Sequence, residues 1–329
     1  MISAIGILAT GAGGAGTVSI LREFRKLSRY RLFAVDSNPM SVGLHLAEKS
    51  FVVPVATDPE YLDVMTEIIC RNQVRVLVPL IDEELLKAWE IRARVGRELL
   101  LALPTEGFVR LTLDKGRMAR EFGEAGISVP RTMRLTEALA DGGPVRLPAV
   151  VKPNRGRGSR GVVVLRDETD FHRHVHALGP DKVGDHIIQD YVEGVEYTVS
   201  VVASSDGRLL AVVPKQVIEK RGITRAAVTR RNEAITDVCR RIQQRFRADG
   251  PFNVQLILDR DGRPVVFEVN PRFSTTVSLT MAAGVNEVEM VIRDRLGESV
   301  EQADFIPDLY MVRYEESLFK TEAELSLPC

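Results

Sequence analysis

Short apolar runs alternate with amphipathic segments along the first hundred residues of the chain. The runs that favour strands lie at 4–10, 31–36, 50–55, 74–80 and 98–103. Between them, apolar side chains recur at helical spacing near 15–28, 59–72 and 83–93. Strands that alternate with helices form βαβ units, so we expect an α/β domain whose parallel sheet is covered by helices on both faces.

Beyond about residue 147 the strands come in neighbouring pairs instead. Residues 147–153 and 161–166 predict one pair, and residues 196–217 contain a Ser-Asp-Gly turn that is typical of a hairpin. A helix is expected near 230–247, followed by a second hairpin over 252–270. This half of the chain is therefore expected to have an α+β fold without internal repeats.

Composition narrows the class of protein and its partners. The 329 residues are 45% hydrophobic, enough for buried cores, and 44 basic residues stand against 45 acidic ones. That balance leaves no net field to attract nucleic acid or an anionic bilayer, and no apolar stretch is long enough to cross a membrane. Three widely spaced cysteines without CxxC pairs favour a reducing compartment, so a cytoplasmic location is expected.

A glycine-rich turn follows the first predicted strand. Gly11, Gly13 and Gly16 have the spacing G-x-G-x-x-G, and Asp36 comes twenty positions after the last of them. Dinucleotide-binding loops have this pattern, because the glycines let the backbone approach a pyrophosphate at a helix N-terminus. The same loop can serve another anion or none at all, so a nicotinamide-dependent oxidoreductase is one open alternative.

Two lysines and a second glycine-rich loop indicate a polyphosphate site in the second half. Lys115 begins a predicted helix, and Lys152 ends a predicted strand. The loop after Lys152 carries the glycines, hydroxyl and cations of a phosphate cradle: Arg155, Gly156, Arg157, Gly158, Ser159, Arg160 and Gly161. Backbone N–H groups and side-chain donors of such a loop can close over a polyphosphate.

Two further segments supply candidates for binding a base, a ribose and a metal. The bend at 189–192 offers an apolar edge and backbone groups to an adenine ring, and Glu196 can accept hydrogen bonds from ribose hydroxyls. Gln255, Glu268 and Asn270 can point to one side of paired strands, since the last two are two positions apart. So few oxygen ligands suit a Mg²⁺ ion that also binds ATP phosphates.

These motifs resemble those of ATP-grasp enzymes, in particular the branch similar to the large subunit of carbamoyl phosphate synthetase. The resemblance extends from residue 1 to about 300 and includes the segments TGAGGAG, VPLIDEEL, GRGSRG, NVQ and EVNPR. It implies a Rossmann-like pre-ATP-grasp domain at 1–108, followed by a two-lobed ATP-grasp fold. The small lobe with a glycine-rich lid would occupy 109–192, and the large lobe with the metal site would occupy 193–329.

The resemblance also implies roles for individual residues. Lys152, Asn270 and Arg272 would be catalytic. A Mg²⁺ ion, for which Mn²⁺ can substitute, would be held by Gln255, Glu268 and Asn270. ATP would be bound by Lys115, Lys152, Gly156, Gly158, Ser159, Arg160, Gly161, Gln189, Asp190, Tyr191, Val192 and Glu196. The N-terminal glycine turn is then expected to serve a second substrate or a contact between domains.

The implied reaction joins a small-molecule carboxylate to an amine. ATP would phosphorylate the carboxylate, and the amine would displace phosphate from the resulting acyl phosphate to give an amide. A biosynthetic role follows from the same analogy, and a homodimer is compatible with it. Two alternatives stay open, an ATP-binding regulatory module without turnover and the oxidoreductase described above.

Two charged segments are ambiguous in the sequence. Residues 81–87 predict either a helix N-terminus whose acids complement the helix dipole or a carboxylate pair at a substrate site. Residues 214–234 show no obvious strand beyond their first few positions and predict a cationic loop. In that loop, Lys215, Arg221 and Arg225 either bind a carboxylate or phosphate or are simply solvated.

Overall fold

The computed structural model describes residues 4–140 and 146–325 of the chain. Within them, three β-sheets succeed one another, built from residues 5–101, 132–190 and 194–312. Of the helices that the described residues form, none has both the length and the apolar character needed to cross a bilayer. The predicted domain boundaries at 108 and 192 stay predictions, and Cys329 lies outside the described residues.

The first sheet is parallel and has the order β3-β2-β1-β4-β5. Its strands are β1 (Ile5–Ala9), β2 (Tyr30–Asp36), β3 (Lys49–Val52), β4 (Val74–Val78) and β5 (Leu100–Leu101). The connecting helices are α1 (Ala15–Phe24), α2 (Tyr61–Arg71), α3 (Asp82–Leu85) and α4 (Lys87–Val95), with a 3₁₀ turn at Val42–His45. Alternate residues of the strands enter separate cores on the two faces, as Ile7 and Leu8 do, which confirms the expected α/β architecture.

The second sheet is antiparallel and has the order β6-β9-β7-β8. Its strands are β6 (Thr132–Arg134), β7 (Ala149–Pro153), β8 (Val163–Leu165) and β9 (His186–Asp190). The helices of this region are α5 (Glu106–Thr112), α6 (Lys115–Glu124), α7 (Leu135–Ala140), α8 (Glu168–Leu178) and α9 (Pro180–Val183). The expected pair of strands on either side of the glycine-rich loop is therefore confirmed as β7 and β8.

The third sheet is antiparallel and has the order β14-β13-β10-β11-β12-β15. Its strands are β10 (Gly194–Ala203), β11 (Leu209–Arg221), β12 (Ile223–Thr229), β13 (Pro251–Asp259), β14 (Pro264–Asn270) and β15 (Tyr310–Val312). The helices are α10 (Glu233–Phe246), α11 (Val277–Ala282), α12 (Glu287–Arg295) and α13 (Glu322–Leu325). Helix α10 begins where the Asn232 side chain accepts a hydrogen bond from the Ile235 N–H, at 3.0 Å, and its apolar face packs on the sheet.

The prediction of a loop over 214–234 is wrong. Strand β11 continues to Arg221, and β12 returns from Ile223 to form a long hairpin. The pairing shifts register between Val217 and Glu219 and again before Lys220, so the simple alternation of polar and apolar residues is lost. The sequence pattern did not predict these strands, because the hairpin carries charged side chains and lacks the periodic apolar face of a buried strand.

A half-buried carboxylate lies beside the carboxyl ends of β1 and β4. Glu84, in α3, accepts a hydrogen bond from the Thr10 hydroxyl. Burial raises the pKa of Glu84 to about 7, and the charges of Asp36 and Glu83 act in the same direction, while the hydrogen bonds from Thr10 and Tyr61 oppose them. Glu84 therefore binds a proton more tightly in the folded protein than in the unfolded chain.

We expect this proton to make Glu84 a source of pH-dependent stability. The contribution is fully present below the ordinary carboxyl pKa of 4.5 and is lost as the pH rises towards 7. Glu84→Gln removes the titration, so the free energy of unfolding of the variant, relative to wild type, should increase by about 2–3 kcal/mol between pH 5 and pH 8. Urea unfolding at the two pH values measures this difference, and parallel changes in both proteins would contradict the assignment.

Candidate active site

A cavity lies where the four-stranded sheet faces the six-stranded sheet. It is lined by fifteen of the sixteen residues that the resemblance associates with ATP, a metal or the reaction: Lys115, Lys152, Gly156, Gly158, Ser159, Arg160, Gln189, Asp190, Tyr191, Val192, Glu196, Gln255, Glu268, Asn270 and Arg272. Gly161 is the exception, because it turns the chain back towards β8 with a φ of +72° and faces Pro153 instead. The structure thus gathers the candidate residues, while their roles stay predictions.

Lys152 is buried at the floor of the cavity. Its side chain projects from β7 across to β14, where Nζ donates to the carbonyl oxygen of Phe267 at 3.1 Å and lies 5.4 Å from the centre of the Phe267 ring. Burial lowers the pKa of Lys152 to about 8; Glu268 opposes this shift, and Lys115 and Lys220 add to it. Burial disfavours the charged form of Lys152, and the Phe267 carbonyl is a neutral acceptor. An anion that binds beside Nζ would therefore stabilise the charged lysine.

Lys115 approaches the same place from α6. It is the first residue of that helix, and the preceding residue, Asp114, caps the helix by accepting a hydrogen bond from the Arg117 N–H. The Nζ atom of Lys115 donates to the Gly156 carbonyl at 2.7 Å and lies 3.9 Å from Glu268 Oε1. Two lysines from different elements therefore converge on one carboxylate.

The glycine-rich loop between β7 and β8 lies over this end of the cavity. Gly156, Gly158, Ser159 and Gly161 all have positive φ values, between 58° and 139°. Residues other than glycine rarely adopt this conformation, which explains why three of the six residues at 156–161 are glycines. Arg157 ties the loop to the N-terminal domain, because its Nε donates to Glu83 at 3.0 Å.

The three candidate metal ligands lie side by side on two paired strands. Gln255 of β13 is the direct partner of Glu268 in β14, and Asn253 is the partner of Asn270. Glu268 supplies a carboxylate, and Gln255 and Asn270 supply amide oxygens, all lining the cavity. This all-oxygen donor set fits Mg²⁺, which takes few protein ligands when phosphates complete its shell. Asn270 Oδ1 also accepts from Arg272 Nη2 at 3.2 Å, so a bound cation would compete for that oxygen.

Part of the backbone at 189–192, where an adenine ring is expected, is already hydrogen-bonded within the protein. The N–H groups of Asp190 and Tyr191 donate to the carbonyls of Arg131 and Pro148, at 3.0 and 3.1 Å. The Gln189 side chain donates to the Thr132 hydroxyl at 2.8 Å. A base at this edge would therefore be bound through other groups of the 189–192 segment.

Glu196 faces Lys220, a cation that the sequence patterns did not identify as a site residue. Its Oε1 accepts from Lys220 Nζ at 2.6 Å, and both side chains are about one quarter exposed. Lys220 is placed over the cavity by the hairpin of β11 and β12, the region predicted to be a loop. The cationic character of the segment was the available signal, but the strand pairing decides which cation reaches the site.

The three cations proposed for that segment lie outside the cavity lining. Lys215 is completely buried and donates to the Ser200 and Thr280 hydroxyls at 2.6 and 2.7 Å. Arg221 is exposed and pairs with Glu219, and Arg225 pairs with Glu315. Lys215 and Lys220 lie in the same strand but well apart along it, so their side chains reach different parts of the sheet.

The N-terminal glycine turn makes several contacts within the protein. The Gly13 N–H donates to Asp36 Oδ2 at 2.8 Å, and a side chain at Gly11 would meet Ile81 at 2.6 Å. Gly16 lets α1 approach the backbone after β14, since a Cβ there would lie 3.3 Å from the Ser274 carbonyl oxygen. These contacts account for Gly11 and Gly13 through packing within the N-terminal domain and for Gly16 through packing between domains.

Comparisons with known proteins agree with this arrangement. Residues 182–317 match the family described as "ATP-grasp in the biosynthetic pathway with Ter operon". Residues 7–97 match the family described as "PylC-like, N-terminal domain". The ATP-grasp match therefore covers the part of the chain that carries β9 to β15. The match at 182–317 includes β9, β13 and β14, and the match at 7–97 includes the turn at Gly11.

A curated protein matches part of this chain. The large chain of carbamoyl phosphate synthase from Halobacterium salinarum is 28% identical over 228 residues, which are 62% of this chain and 21% of that protein. The chain therefore spans about a fifth of the length of that relative.

Two solved structures show the same fold. The biotin carboxylase domain of 2-oxoglutarate carboxylase from Hydrogenobacter thermophilus, in complex with MgADP, ADP and bicarbonate, has a TM-score of 0.75 at 16% identity, covering 93% of this chain and 73% of that one. L-amino acid ligase from Bacillus licheniformis has a TM-score of 0.67 at 17% identity, covering 91% and 79%. The expected order of a Rossmann-like domain followed by a two-lobed ATP-grasp fold is confirmed.

Proposed function

We propose that this ATP-grasp chain is a ligase that joins a small-molecule carboxylate to an amine, using ATP and an acyl-phosphate intermediate. The observation that carries the proposal is the convergence of Lys115, Lys152, Glu268, Asn270 and Arg272 on one cavity. These groups match the needs of phosphoryl transfer, which depends on positioning and on positive charge. The fold shared with an L-amino acid ligase supports an amide-forming reaction.

ATP would lie along the cavity with its base at β9 and its phosphates under the glycine-rich loop. Because the N–H groups of Asp190 and Tyr191 are engaged, the base would be read by Val192 and by backbone carbonyls of the same segment. Glu196 would accept from the ribose, in exchange for its contact with Lys220. Lys115 and Lys152 would bind phosphate oxygens.

Glu268, Gln255 and Asn270 would hold Mg²⁺ or Mn²⁺ between β14 and the phosphates. The bound metal supplies positive charge to the phosphate oxygens and helps to fix their geometry. Glu268 is the carboxylate of this set, and it also keeps Lys115 nearby at 3.9 Å. Glu268 would therefore bind the metal while Lys115, beside it, binds the nucleotide.

The chemistry consists of two displacements. A carboxylate oxygen of the acid attacks the γ-phosphorus, the bond to the β-phosphate oxygen breaks, and ADP leaves. The amine nitrogen then attacks the acyl carbon, the bond to the phosphate oxygen breaks, and the amine loses a proton as phosphate departs. Lys152 and Arg272 would stabilise the charge on the transferred phosphoryl oxygens, and the glycine-rich loop would exclude water from the acyl phosphate.

Release of ADP and phosphate tests the proposal. The purified chain is incubated with Mg²⁺ and ATP and with pools of amino acids and other carboxylates, each alone and in pairs with amines. We expect release that requires an acid and an amine together, and a product of the combined mass. Binding of ATP without turnover across the pools would favour a regulatory module, and binding of NAD(H) or NADP(H) without ATP would overturn the proposal.

A further inference from the structure

Arg272 is anchored by a carboxylate from the N-terminal domain. Its Nε donates to Asp82 Oδ1 at 2.7 Å, and both side chains are only 11% exposed. Its other two contacts are neutral, from Nη1 to the Phe273 carbonyl and from Nη2 to Asn270 Oδ1, each at 3.2 Å. The contact with Asp82 is therefore the shortest of the three and the one with a charged group. Asp82 lies 190 positions away from Arg272 in the chain.

Asp82 is itself fixed by its neighbours in α3. Ile81 packs against the glycine turn at Gly11, and Glu84 accepts from the Thr10 hydroxyl. Glu83 pairs with Arg157 of the glycine-rich loop. A side chain between such anchors has little freedom, so the carboxylate can hold a partner in one orientation.

We propose that Asp82 is a positioning residue that aims the Arg272 guanidinium at the phosphoryl group being transferred. This inference rests on the proposed function. The Asn270 oxygen that Arg272 now contacts is also an expected metal ligand, so that contact weakens when a cation takes the oxygen. The Asp82 carboxylate is then the main restraint on the direction of Arg272 during the reaction.

Asp82→Asn tests the restraint, because it keeps the size of the side chain and removes its charge. Arg272 still lines the cavity in this variant, but its guanidinium can rotate away from the productive direction. We expect kcat to fall on the order of 10- to 100-fold, as small misplacements of catalytic groups do. The KM for ATP should change less than about threefold, since Lys115, Lys152 and the glycine-rich loop bind the nucleotide.

Two variants control for charge and for folding. Asp63→Asn makes the same change in an exposed pair with Arg94 on the N-terminal domain, and its kcat should equal that of wild type. Asp82→Glu restores the carboxylate and should recover most of the lost kcat. If both Asp82 variants fail to fold, Asp82 acts through stability and the proposal is wrong.

A double-mutant cycle separates positioning from an independent role. In the Arg272→Ala background, Asp82→Asn should cause no further loss of kcat, because the group that it orients is gone. Losses that multiply, or an unchanged kcat in Asp82→Asn alone, would overturn the inference.

Hydrogen exchange at Arg272 tests the restraint by Asp82 separately from the ligase activity. The Arg272 Nε–H, assigned by its absence in Arg272→Lys, should exchange slowly in ¹⁵N spectra of wild type and Asp63→Asn, and rapidly in Asp82→Asn. Slow exchange in a wild-type protein without ligase turnover would overturn the proposed function but not the restraint. Rapid exchange in wild type would overturn the restraint, whether or not the protein is a ligase.

Discussion

Lys152→Met is expected to reduce acid-dependent release of phosphate on the order of 10³-fold. Methionine keeps the length and apolar contacts of the lysine stem and removes the cation from the floor of the cavity. The size of the effect is that of removing a preorganised charge from a site of phosphoryl transfer. Both kcat and the binding of ATP should decrease, which steady-state kinetics and titration with ATP measure.

The same substitution should not destabilise the fold. Lys152 is only 4% exposed, and its Nζ donates to one carbonyl, that of Phe267. Keeping a charge there is costly, as its lowered pKa indicates, so the variant should melt at the same temperature as wild type or higher. Lost activity in a fully folded protein would exclude unfolding as the cause.

Lys215→Met is the matched control, because it makes the same change at another buried lysine. Lys215 lies outside the cavity lining and donates to Ser200 and Thr280; burial lowers its pKa and raises that of Glu287 nearby. Its loss leaves a buried acid without a cation, at a cost of about 3 kcal/mol of stability. Turnover per folded molecule should stay within about threefold of wild type. Equal losses of activity in the two variants would contradict a specific role for Lys152.

Glu268→Gln is expected to raise the Mg²⁺ concentration for half-maximal activity at least tenfold and to lower kcat on the order of 100-fold. The change leaves three amides where the wild type has two amides and one carboxylate, and hard cations bind neutral oxygens more weakly. It also removes the anion beside Lys115. Magnesium titrations of turnover measure the effect.

A binding experiment separates loss of the metal from loss of the nucleotide. In wild type, ADP should stabilise the protein against heat more strongly when Mg²⁺ is present. In Glu268→Gln, the dependence on Mg²⁺ should nearly vanish while stabilisation by ADP alone persists. Glu219→Gln, at an exposed pair with Arg221 on the same sheet, should behave as wild type. An unaltered Mg²⁺ dependence in Glu268→Gln would remove Glu268 from the metal site.

Local patterns predicted the elements that carry the candidate site. Apolar runs and turn residues identified β7, β8, β13 and β14, because these strands have buried faces and short connections. Lys152, Glu268 and Asn270 lie at fixed positions within such strands, so their placement followed from the period of two. The hairpin of β11 and β12 escaped prediction, since its charged residues and register shifts conceal that period.

The sequence by itself determined the order of a Rossmann-like region and an ATP-grasp region, the loop rich in glycines and cations, and the candidate oxygen ligands on adjacent strands. Those features depend on residues that are close together in the chain, so the sequence shows their spacing directly. The tertiary structure decided which charges meet: Lys220 with Glu196, Arg157 with Glu83, and Arg272 with Asp82. It also decided that Lys215 is buried and that the Gly13 N–H of the N-terminal turn is bound by Asp36. Charge and residue type do not indicate a partner, because the partner is set by long-range pairing of strands and by the packing of one domain on another.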